Sequence, residues 1–531
     1  MPDAAPRLAR SAGVIGLATM TSRILGLVRE QVLAYYFGAG DAMDAFRVAF
    51  RVPNLLRDLF AEGAMSAAFV PTFTGYLTRD GRERAWRLGN SVLNGLLLVT
   101  LVLVVAGFVF APNLVRLFAA DFASVPGKLE LTTLLARIVL PFLTLVAIAA
   151  AFMGMLNALG HFFLPALSPA TFNVAGILLV VALVPMADRI GIAPIVIVAA
   201  GTVLGGLAQV AVQWPPLARE GFRYEPRIDL HDEGLRRVLL LMGPGTVGMA
   251  ATQINVFVNT VLATGQGTGA VSWLDYAFRL MYLPIGLFGV SVATASTPAI
   301  ARMIAAGEMG RVRSTIAHAI SLMMLLNVPA TLGLMVLAEP IVRVIFEHGS
   351  FTPADTAATA SALRFYALGL LGYSVVRIVS PSFYALGQAR TPVMISAGSV
   401  LVNVALNLAL VRVLGFRGLA LGTSLTALIN AAAQLMLLRR EIGGVEGRSI
   451  AASFARIATA ATAMALAAAG ADWLMALWLP GETILLQAIR LAWSIGLAML
   501  VLVATAWTLG IPEFDEVRKS IVRRLRRGNG E

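Results

Sequence analysis

The chain of 531 residues contains no cysteine, only two lysines and few charged residues for its length. Without cysteine, disulfide bonds, thiolate nucleophiles and thiolate metal ligands are excluded. Charged residues make up 13% of the sequence, about half of the share that soluble globular proteins carry. The four histidines, His161, His231, His318 and His348, lack the spacing of metal ligands. These absences argue against a thiol enzyme and against a metal centre.

Apolar residues predominate in this sequence. They make up 58% of the chain and are gathered in long runs, which indicates an integral membrane protein with little mass outside the bilayer. The net charge of +12 comes almost wholly from arginine and lies mainly in short loops beside these runs. There it acts as a signal for membrane topology, so we expect no nucleic acid partner. The first run is longer than a signal peptide and predicts a spanning helix.

Fourteen runs are long enough to cross the bilayer, since a span takes roughly 20 residues of helix. The sequence therefore predicts an all-α polytopic membrane protein. We place the spans near residues 11–37, 43–77, 88–112, 129–157, 163–187, 191–217, 237–263, 268–305, 313–338, 356–387, 391–413, 416–438, 451–477 and 483–510. Arginines are concentrated in alternate loops, such as 79–87, 219–227 and 302–313, so these loops and both termini are predicted to be cytoplasmic.

Two polar segments frame the predicted domains. Residues 218–236 form the longest polar connection and are predicted to be a cytoplasmic amphipathic linker between two lobes, 1–217 and 237–440. The last two spans lie in 441–510. The basic tail, 511–531, has two open interpretations: an amphipathic helix on anionic headgroups, or a plain topology signal.

The two halves resemble each other at a nearly constant offset. The sequence NALG at 157–160 corresponds to YALG at 384–387, and Pro71 corresponds to Pro298, both 227 residues apart. Each half would hold six spans and begin in the cytoplasm, which predicts a parallel internal repeat with two extra helices at the end. Two bundles with polar residues facing a midline are typical of alternating-access transporters.

Nine charged side chains interrupt the first two apolar runs. They are Arg23, Arg29, Glu30, Asp44, Arg47, Arg51, Arg57, Asp58 and Glu62. Inserting one charged side chain at the centre of the bilayer costs about 2.5–3.5 kcal/mol of free energy, so nine such charges indicate a functional role. Five are arginines, and the guanidinium group suits phosphate and carboxylate, which indicates an anionic substrate within the membrane.

Position suggests the role of each charge. Arg23 lies near mid-bilayer with no carboxylate within one turn, and Arg279 would face the first two spans across a central cavity. The expected substrate ligands are Arg23, Arg29, Arg57 and Arg279. Glu30 and Asp58 are expected to be charge partners. No nucleophile with a base and no glycine-rich phosphate loop accompanies these charges, so catalysis is not expected.

The remaining carboxylates have two interpretations. Asp44 and Glu62 are candidate gate residues that pair with arginines in one state and release them in another, or they are purely structural. Arg51 is either a substrate contact or a structural partner of Asp58 or Glu62.

Several motifs resemble the MurJ (MviN) family over essentially the whole chain. They include SRILGLVRE at 22–30, FGAG at 37–40, PNLLR at 53–57 followed by FAEGA at 60–64, and FYA at 383–385. The resemblance implies a lipid II flippase of the bacterial inner membrane, within the multidrug/oligosaccharidyl-lipid/polysaccharide exporter superfamily. Such a protein moves the undecaprenyl-pyrophosphate-linked disaccharide-pentapeptide to the periplasmic leaflet for peptidoglycan synthesis.

The resemblance also assigns residues and partners. By position, the functional residues of the family fall on Ser22, Arg23, Arg29, Asp44, Arg57, Glu62 and Arg279. The last two spans would form a groove for the lipid tail. The implied partners are lipid II, membrane lipids and proteins of cell-wall synthesis.

Two departures from the family pattern stand out. Some relatives place an acid directly before the arginine matching Arg279; here that residue is Phe278, and Asp275 lies one turn earlier. Some relatives carry a cation site in the second lobe, where this chain offers amides such as Asn403 and Asn407 but no carboxylate. We therefore predict no metal site and no cofactor, and we leave open coupling to the membrane potential or to a monovalent cation.

Four other functions remain as alternatives. A flippase for another undecaprenyl-linked glycan would have a similar cavity. A drug/cation antiporter of the same superfamily should favour carboxylates inside. An enzyme acting on polyprenyl pyrophosphates would need acidic metal ligands, and a non-transporting scaffold would have no reason to keep unpaired arginines at depth.

Overall fold

Helices are the regular structure of this chain wherever the computed structural model describes it, namely residues 4–58, 68–229, 232–286, 290–481 and 483–519, with no β-strand among them. The apolar runs of the sequence form these helices because a backbone in hydrocarbon must satisfy its polar groups within its own segment.

The described helices belong to two units, Met1–Ser272 with His348–Phe351, and Trp273–Glu347 with Thr352–Glu531. The helices of the first unit are α1 (Ala4–Phe37), α2 (Asp41–Arg57), α3 (Val70–Arg79), α4 (Arg82–Val109), α5 (Ala111–Ala119), α6 (Lys128–Val139), α7 (Phe142–Ala158), α8 (Phe163–Leu183), α9 (Pro194–Arg219) and α10 (Glu233–Thr264). Then follow α11 (Ala270–Pro284), which begins at the end of the first unit, and α12 (Val290–Ala305), α13 (Met309–Val336), α14 (Ala338–Phe346), α15 (Pro353–Ala385), α16 (Arg390–Leu414), α17 (Phe416–Glu441), α18 (Gly447–Trp478) and α19 (Ile484–Thr508).

Ten helical segments in the described part of the chain are long and apolar enough to cross a membrane. They are α4, α6 with α7, α8, α9, α13, α15, α16, α17, α18 and α19. The other four predicted spans coincide with α1, with α2 and α3, with α10, and with α11 and α12. The protein is therefore a multi-pass helical membrane protein.

Local sequence explains several helix boundaries. Thr352 and Asp355 form a reciprocal capping box at the start of α15, with Pro353 in the first turn. Asp232 caps α10 by accepting a hydrogen bond from the backbone N–H of Leu235 at 2.9 Å. Pro141 separates α6 from α7, because proline has no N–H to continue the helical ladder.

A cluster of aromatic side chains forms the core at one end of the first unit. Phe73 lies 5.6 Å from Trp86 between ring centroids, and Trp86 lies 5.4 Å from Phe222. Phe152 closes the cluster at 6.1 Å from Phe222. The cluster therefore anchors Phe222, the third residue of the connection between α9 and α10, beside α3, α4 and α7.

The residues after Phe222 run along α4 without helical structure, and we call residues 222–229 the connector strap. Asn94 donates from Nδ2 to the carbonyl oxygens of Glu225 and Arg227, at 2.6 and 2.9 Å. Asn90 donates to the carbonyl of Arg223 at 2.9 Å and accepts from the N–H of Glu225 at 3.1 Å. These buried amides give the strap the backbone partners that a sheet would otherwise supply.

The helix α10 packs within the first unit, although the sequence assigns it to the second lobe. Phe257 meets Phe118 of α5 edge to face, with ring centroids 4.8 Å apart. Thr264 donates a hydrogen bond to the carbonyl of Phe118 at 3.4 Å. Residues from α10 also pack against α3 and α4.

One side-chain contact occurs once in each unit at the same spacing. In the first unit, Arg137 Nε donates to the carbonyl of Phe108, near the end of α4, at 3.2 Å. In the second unit, Arg364 Nε donates to the carbonyl of Met335, near the end of α13, at 3.3 Å. Each arginine places positive charge at a helix C-terminus, where unsatisfied carbonyls favour it.

Candidate substrate-binding site

Two arginines hold one buried carboxylate where α1 meets α2. The side chain of Glu30 is 1% exposed, and its two oxygens accept from different guanidinium groups. Arg29 Nη2 lies 2.9 Å from Oε1, and Arg47 Nη2 lies 2.5 Å from Oε2. A buried charge is tolerated only when it is paired in this way. The cluster joins two guanidinium groups to one carboxylate.

Arg29 has a second contact on its other side. Its guanidinium carbon lies 5.1 Å from the centroid of the Phe172 ring, a cation–π arrangement with α8. The side chain is 16% exposed, so part of the guanidinium stays accessible.

Arg23 lies two turns earlier on α1 and is exposed. It forms no hydrogen bond or ion pair with any residue in the described part of the chain. Beside it, the carbonyl of Ser22 accepts from Asn173 Nδ2 at 3.2 Å, and Gly26 lets α8 approach. Arg23 thus offers its guanidinium donors to a ligand from a helix that Asn173 holds in place.

The second predicted pair lies at the end of α2. Arg57 donates to Asp58 Oδ1 from Nε at 3.0 Å and from Nη2 at 2.7 Å. Both side chains are 27% exposed, so solvent screens the pair and an anionic ligand can compete with it at modest cost. Arg51 is partly buried on the same helix. Glu62 lies outside the described residues.

Arg279 belongs to the second unit and pairs within its own helix. Its Nε lies 2.8 Å from Asp275 Oδ2, one turn earlier on α11. The arginine side chain is 36% exposed and the carboxylate 16%. Asp275 therefore holds the guanidinium of Arg279 along α11, while Phe278 stacks on Tyr282 instead.

Asp44 is fully buried and accepts hydrogen bonds from the first turn of α11. Its Oδ1 accepts from the N–H of Ser272 at 3.0 Å and from the hydroxyl of Ser272 at 2.7 Å. Its Oδ2 accepts from the N–H of Gly269 at 2.7 Å. These donors are backbone and side-chain groups at the start of a helix, where the N-terminal N–H groups lack helical partners.

Lys128 supplies the positive charge beside Asp44. Its ammonium group lies 3.3 Å from Asp44 Oδ2 and 2.7 Å from Asp41 Oδ1, and it sits 4.1 Å from the Phe122 ring centroid. Asp41 also accepts from the hydroxyl of Thr268 at 2.7 Å. We call Asp41, Asp44, Lys128 and residues 268–272 the latch. In the described part of the chain, the charge that faces Asp44 is this lysine and not an arginine.

Sequence reasoning missed two members of these clusters. Arg47 is not among the expected substrate ligands or charge partners, and its pairing with Glu30 depends on the packing of α1 against α2. Lys128 is one of the two lysines of the chain, and a lone lysine at the start of an apolar span was a usable signal.

The described residues contain no group of three histidine, aspartate or glutamate side chains placed to hold a metal ion. In the second unit, Asn407 donates to Asn403 at 2.8 Å, and Asn403 donates to Thr426 at 3.2 Å. These three side chains are neutral and are bonded to one another.

Comparison with known proteins places the chain. The family model described as lipid II flippase MurJ matches residues 33–489. A probable lipid II flippase MurJ of Rhizobium meliloti (strain 1021) is 33% identical over 521 residues, covering 97% of this chain and 96% of the relative. The corresponding protein of Vibrio cholerae serotype O1 is 36% identical over 440 residues, covering 80% and 82%.

Solved structures agree with the sequence relatives. The lipid II flippase MurJ in an inward closed conformation gives a TM-score of 0.75 at 26% identity, covering 93% of this chain and 99% of that one. An inward-facing multidrug transporter of the MATE family gives 0.67 at 18% identity, which shows a shared fold alone. The relatives are named as flippases, which are transporters and not enzymes. The chain therefore belongs to the MurJ family of lipid II flippases.

Proposed function

We propose that this protein flips lipid II, the undecaprenyl-pyrophosphate-linked disaccharide-pentapeptide, from the cytoplasmic to the periplasmic leaflet of the bacterial inner membrane. The observation that carries the proposal is the exposed guanidinium of Arg23 on α1, a helix that the sequence predicts to span the membrane. This guanidinium has no partner in the described chain. An unpaired charge within the bilayer is costly unless a ligand of opposite charge binds to it. The pyrophosphate of lipid II is an anion of suitable geometry.

The other arginines complete the proposed pyrophosphate site. Arg29 adds a partly exposed guanidinium, and Arg57 and Arg279 each release a partly exposed carboxylate to accept the phosphate. Ser22 lies beside Arg23 and would add a hydroxyl donor. The arginines of both halves line one central cavity in this proposal, and anion binding offsets the repulsion among them.

Alternating access is supported by the matched helices of the two halves. The helices α4 and α13 both contain 28 residues, and α5 and α14 both contain 9, each pair offset by 227 positions. The arginine contacts at Phe108 and Met335 follow the same offset. These correspondences support fourteen spans in two repeated lobes plus α18 and α19, with the polyprenyl tail in a groove beside the last two helices.

The latch gives this cycle a candidate gate. Asp44 ties the start of α11 to α2 and α6, and we propose that it releases Gly269 and Ser272 when the periplasmic side opens. Asp275 and Asp58 then recapture their arginines after the headgroup leaves.

The membrane potential supplies a driving force in this scheme. A potential that is negative inside favours outward movement of an anion, by about 2.3 kcal/mol per charge at 100 mV. Both termini face the cytoplasm, consistent with the arginine-rich loops.

The direct test is lipid II translocation by purified Arg23→Ala protein in liposomes. Losing charge-assisted hydrogen bonds worth about 1.5–3 kcal/mol predicts a fall in rate of roughly 10- to 150-fold. Arg23→Lys keeps the positive charge but loses the planar guanidinium that can donate two parallel hydrogen bonds. Its transport rate should therefore lie between those of wild type and Arg23→Ala. Arg219→Ala, which removes an exposed arginine at the end of α9, is the matched control and should transport normally.

Undiminished transport by Arg23→Ala would refute the role of this arginine. Depletion in the native host tests the substrate: peptidoglycan synthesis should arrest while lipid II accumulates on the cytoplasmic side. Accumulation of a different undecaprenyl-linked glycan, or of neither, would favour one of the alternative transporters.

A further inference from the structure

A recess in the first unit lies apart from the intramembrane arginines. It has a volume of about 970 Å³ and is bounded by the end of α3, the first turns of α4, the connector strap and the first turns of α10. Neither Arg23 nor Arg29 nor Arg57 lines it. Its volume is at the upper end of the range for pockets that hold small ligands. The arginine-rich loops beside it belong to the side predicted to be cytoplasmic.

The wall of the recess carries five arginines and five carboxylates. Some of this charge is balanced within the protein, because Asp80 lies 3.5 Å from Arg84. Arg227 on the strap and Arg237 on α10 have no ion-pair partner within the described ranges, and neither has Glu233. Charges of both signs therefore remain available to a ligand.

Hydrogen bonds within the protein hold the walls of the recess together. The carbonyl of Arg227 is bonded to Asn94, so its side chain projects from a strap that the amides of α4 hold in place. Asp232 caps α10 and also accepts from the hydroxyl of Tyr76 at 3.4 Å, which joins the walls formed by α3 and α10. Such preorganisation lowers the entropic cost of binding.

The balance of charges selects the class of ligand. A nucleotide or an inorganic polyphosphate could pair with the arginines but would leave carboxylates facing its phosphates, and a metal ion could pair with the carboxylates but would leave the arginines unpaired. A ligand with both anionic and cationic groups can use both. A short peptide with free carboxylates and a free amine has this character, and a peptide that is later cross-linked must retain both.

We propose that this recess binds the peptide part of the lipid-linked substrate before the pyrophosphate reaches the intramembrane arginines. Arg227 and Arg237 hold peptide carboxylates, and Glu233 accepts from the peptide amine. The inference rests on the proposed lipid II flippase function and adds to it a site for the peptide.

The test compares two substrates in liposomes containing the full-length protein. One is lipid II, and the other is the same lipid-linked disaccharide without its peptide. The double variant Arg227→Gln/Arg237→Gln removes two charges from the recess. The matched control Arg223→Gln/Arg236→Gln removes two exposed charges from the same segments outside it.

For lipid II, the recess variant should raise the half-saturating concentration about fivefold, the change expected when solvent-accessible charge contacts are lost. Transport of the peptide-free substrate and transport by the control should stay unchanged. Acetylating the peptide amine should weaken lipid II transport by wild type and should have no further effect in Glu233→Gln.

An equal effect of the recess variant on both substrates, or no effect on either, would overturn the inference while leaving the flippase function intact. Failure of the wild-type protein to move either substrate would instead overturn the proposed function.

Discussion

The substitution Asp44→Asn changes one atom of a buried carboxylate, and the latch makes its effect calculable. The asparagine oxygen can still accept from both donors of Ser272. The new amide nitrogen takes the place of Oδ2, which accepts from Gly269 at 2.7 Å and from Lys128 at 3.3 Å. The Gly269 N–H and the Lys128 ammonium would then face the amide NH2, which is itself a donor. The link between α2 and the start of α11 is thereby weakened, while the volume of the side chain hardly changes.

The magnitude follows from the burial of the ion pair. Removing one partner of a buried pair costs about 3–5 kcal/mol. Lys128 keeps its contact with Asp41, so we expect the lower end, about 3 kcal/mol, which corresponds to a roughly 150-fold larger open fraction. Asp41→Asn is the control: that side chain is 44% exposed. Its loss should cost at most about 1 kcal/mol, or roughly fivefold.

The absence of cysteine makes the assay simple. Ala270 is a fully buried residue of the latch, so Ala270→Cys introduces the sole thiol of the protein at a position that a maleimide reaches only when the latch opens. The labelling rate reports the open fraction when closing is faster than labelling. If Asp44→Asn is labelled no faster than Asp41→Asn, the buried carboxylate does not hold the latch closed and the reasoning fails.

Three further predictions concern stability and local order. Glu30→Gln should lower the free energy of unfolding by about 3–5 kcal/mol in a denaturant titration, because two arginines lose their buried anion, whereas Asp58→Asn should cost at most about 1 kcal/mol; equal losses would contradict the difference in burial. Asn94→Ala should speed tryptic cleavage within the connector strap, since three hydrogen bonds to the strap are lost; an unchanged digestion rate would show that the amide does not hold it. The hydrogen bond to His161 at 2.8 Å, with a further contribution from Arg82, lowers the pKa of Glu220 below its usual value of 4.5. The ionised carboxylate therefore stabilises the fold above that pH, and this contribution is lost as the pH falls through the lowered pKa. The melting temperatures of wild type and Glu220→Gln should converge at acidic pH, and a constant difference between them across the pH range would contradict the assignment.

The spans were predictable where apolar runs end at polar or glycine-rich loops. The run predicted at 451–477 forms α18 at Gly447–Trp478, and the run predicted at 191–217 forms α9 at Pro194–Arg219. Hydropathy did not reveal the interruption of the fourth span, where Leu140 and Pro141 separate two helices inside one apolar run. Length and hydropathy measure what can enter the bilayer, whereas such a break depends on backbone hydrogen bonds.

The charged clusters were harder to predict than the helices. The sequence shows that Arg29 and Glu30 are adjacent, but the contact of Glu30 with Arg47 joins two helices and depends on their packing. The contact of Asp44 with Lys128 joins residues 84 positions apart. Angles on a single ideal helix describe which side chains share a face, and they contain no information about the neighbour that the face meets.

The connector strap changes how far α10 can travel. By sequence the polar connection between α9 and α10 is long enough to act as a loose tether, but α4 binds it as far as Asp229, whose N–H donates to Ser91 at 3.3 Å. Only two residues separate Asp229 from Asp232, the cap of α10. A chain of that length spans about 10 Å when fully extended. The start of α10 can therefore move by no more than about this distance while the connector strap stays bound. A larger displacement requires that the hydrogen bonds between the strap and α4 break first.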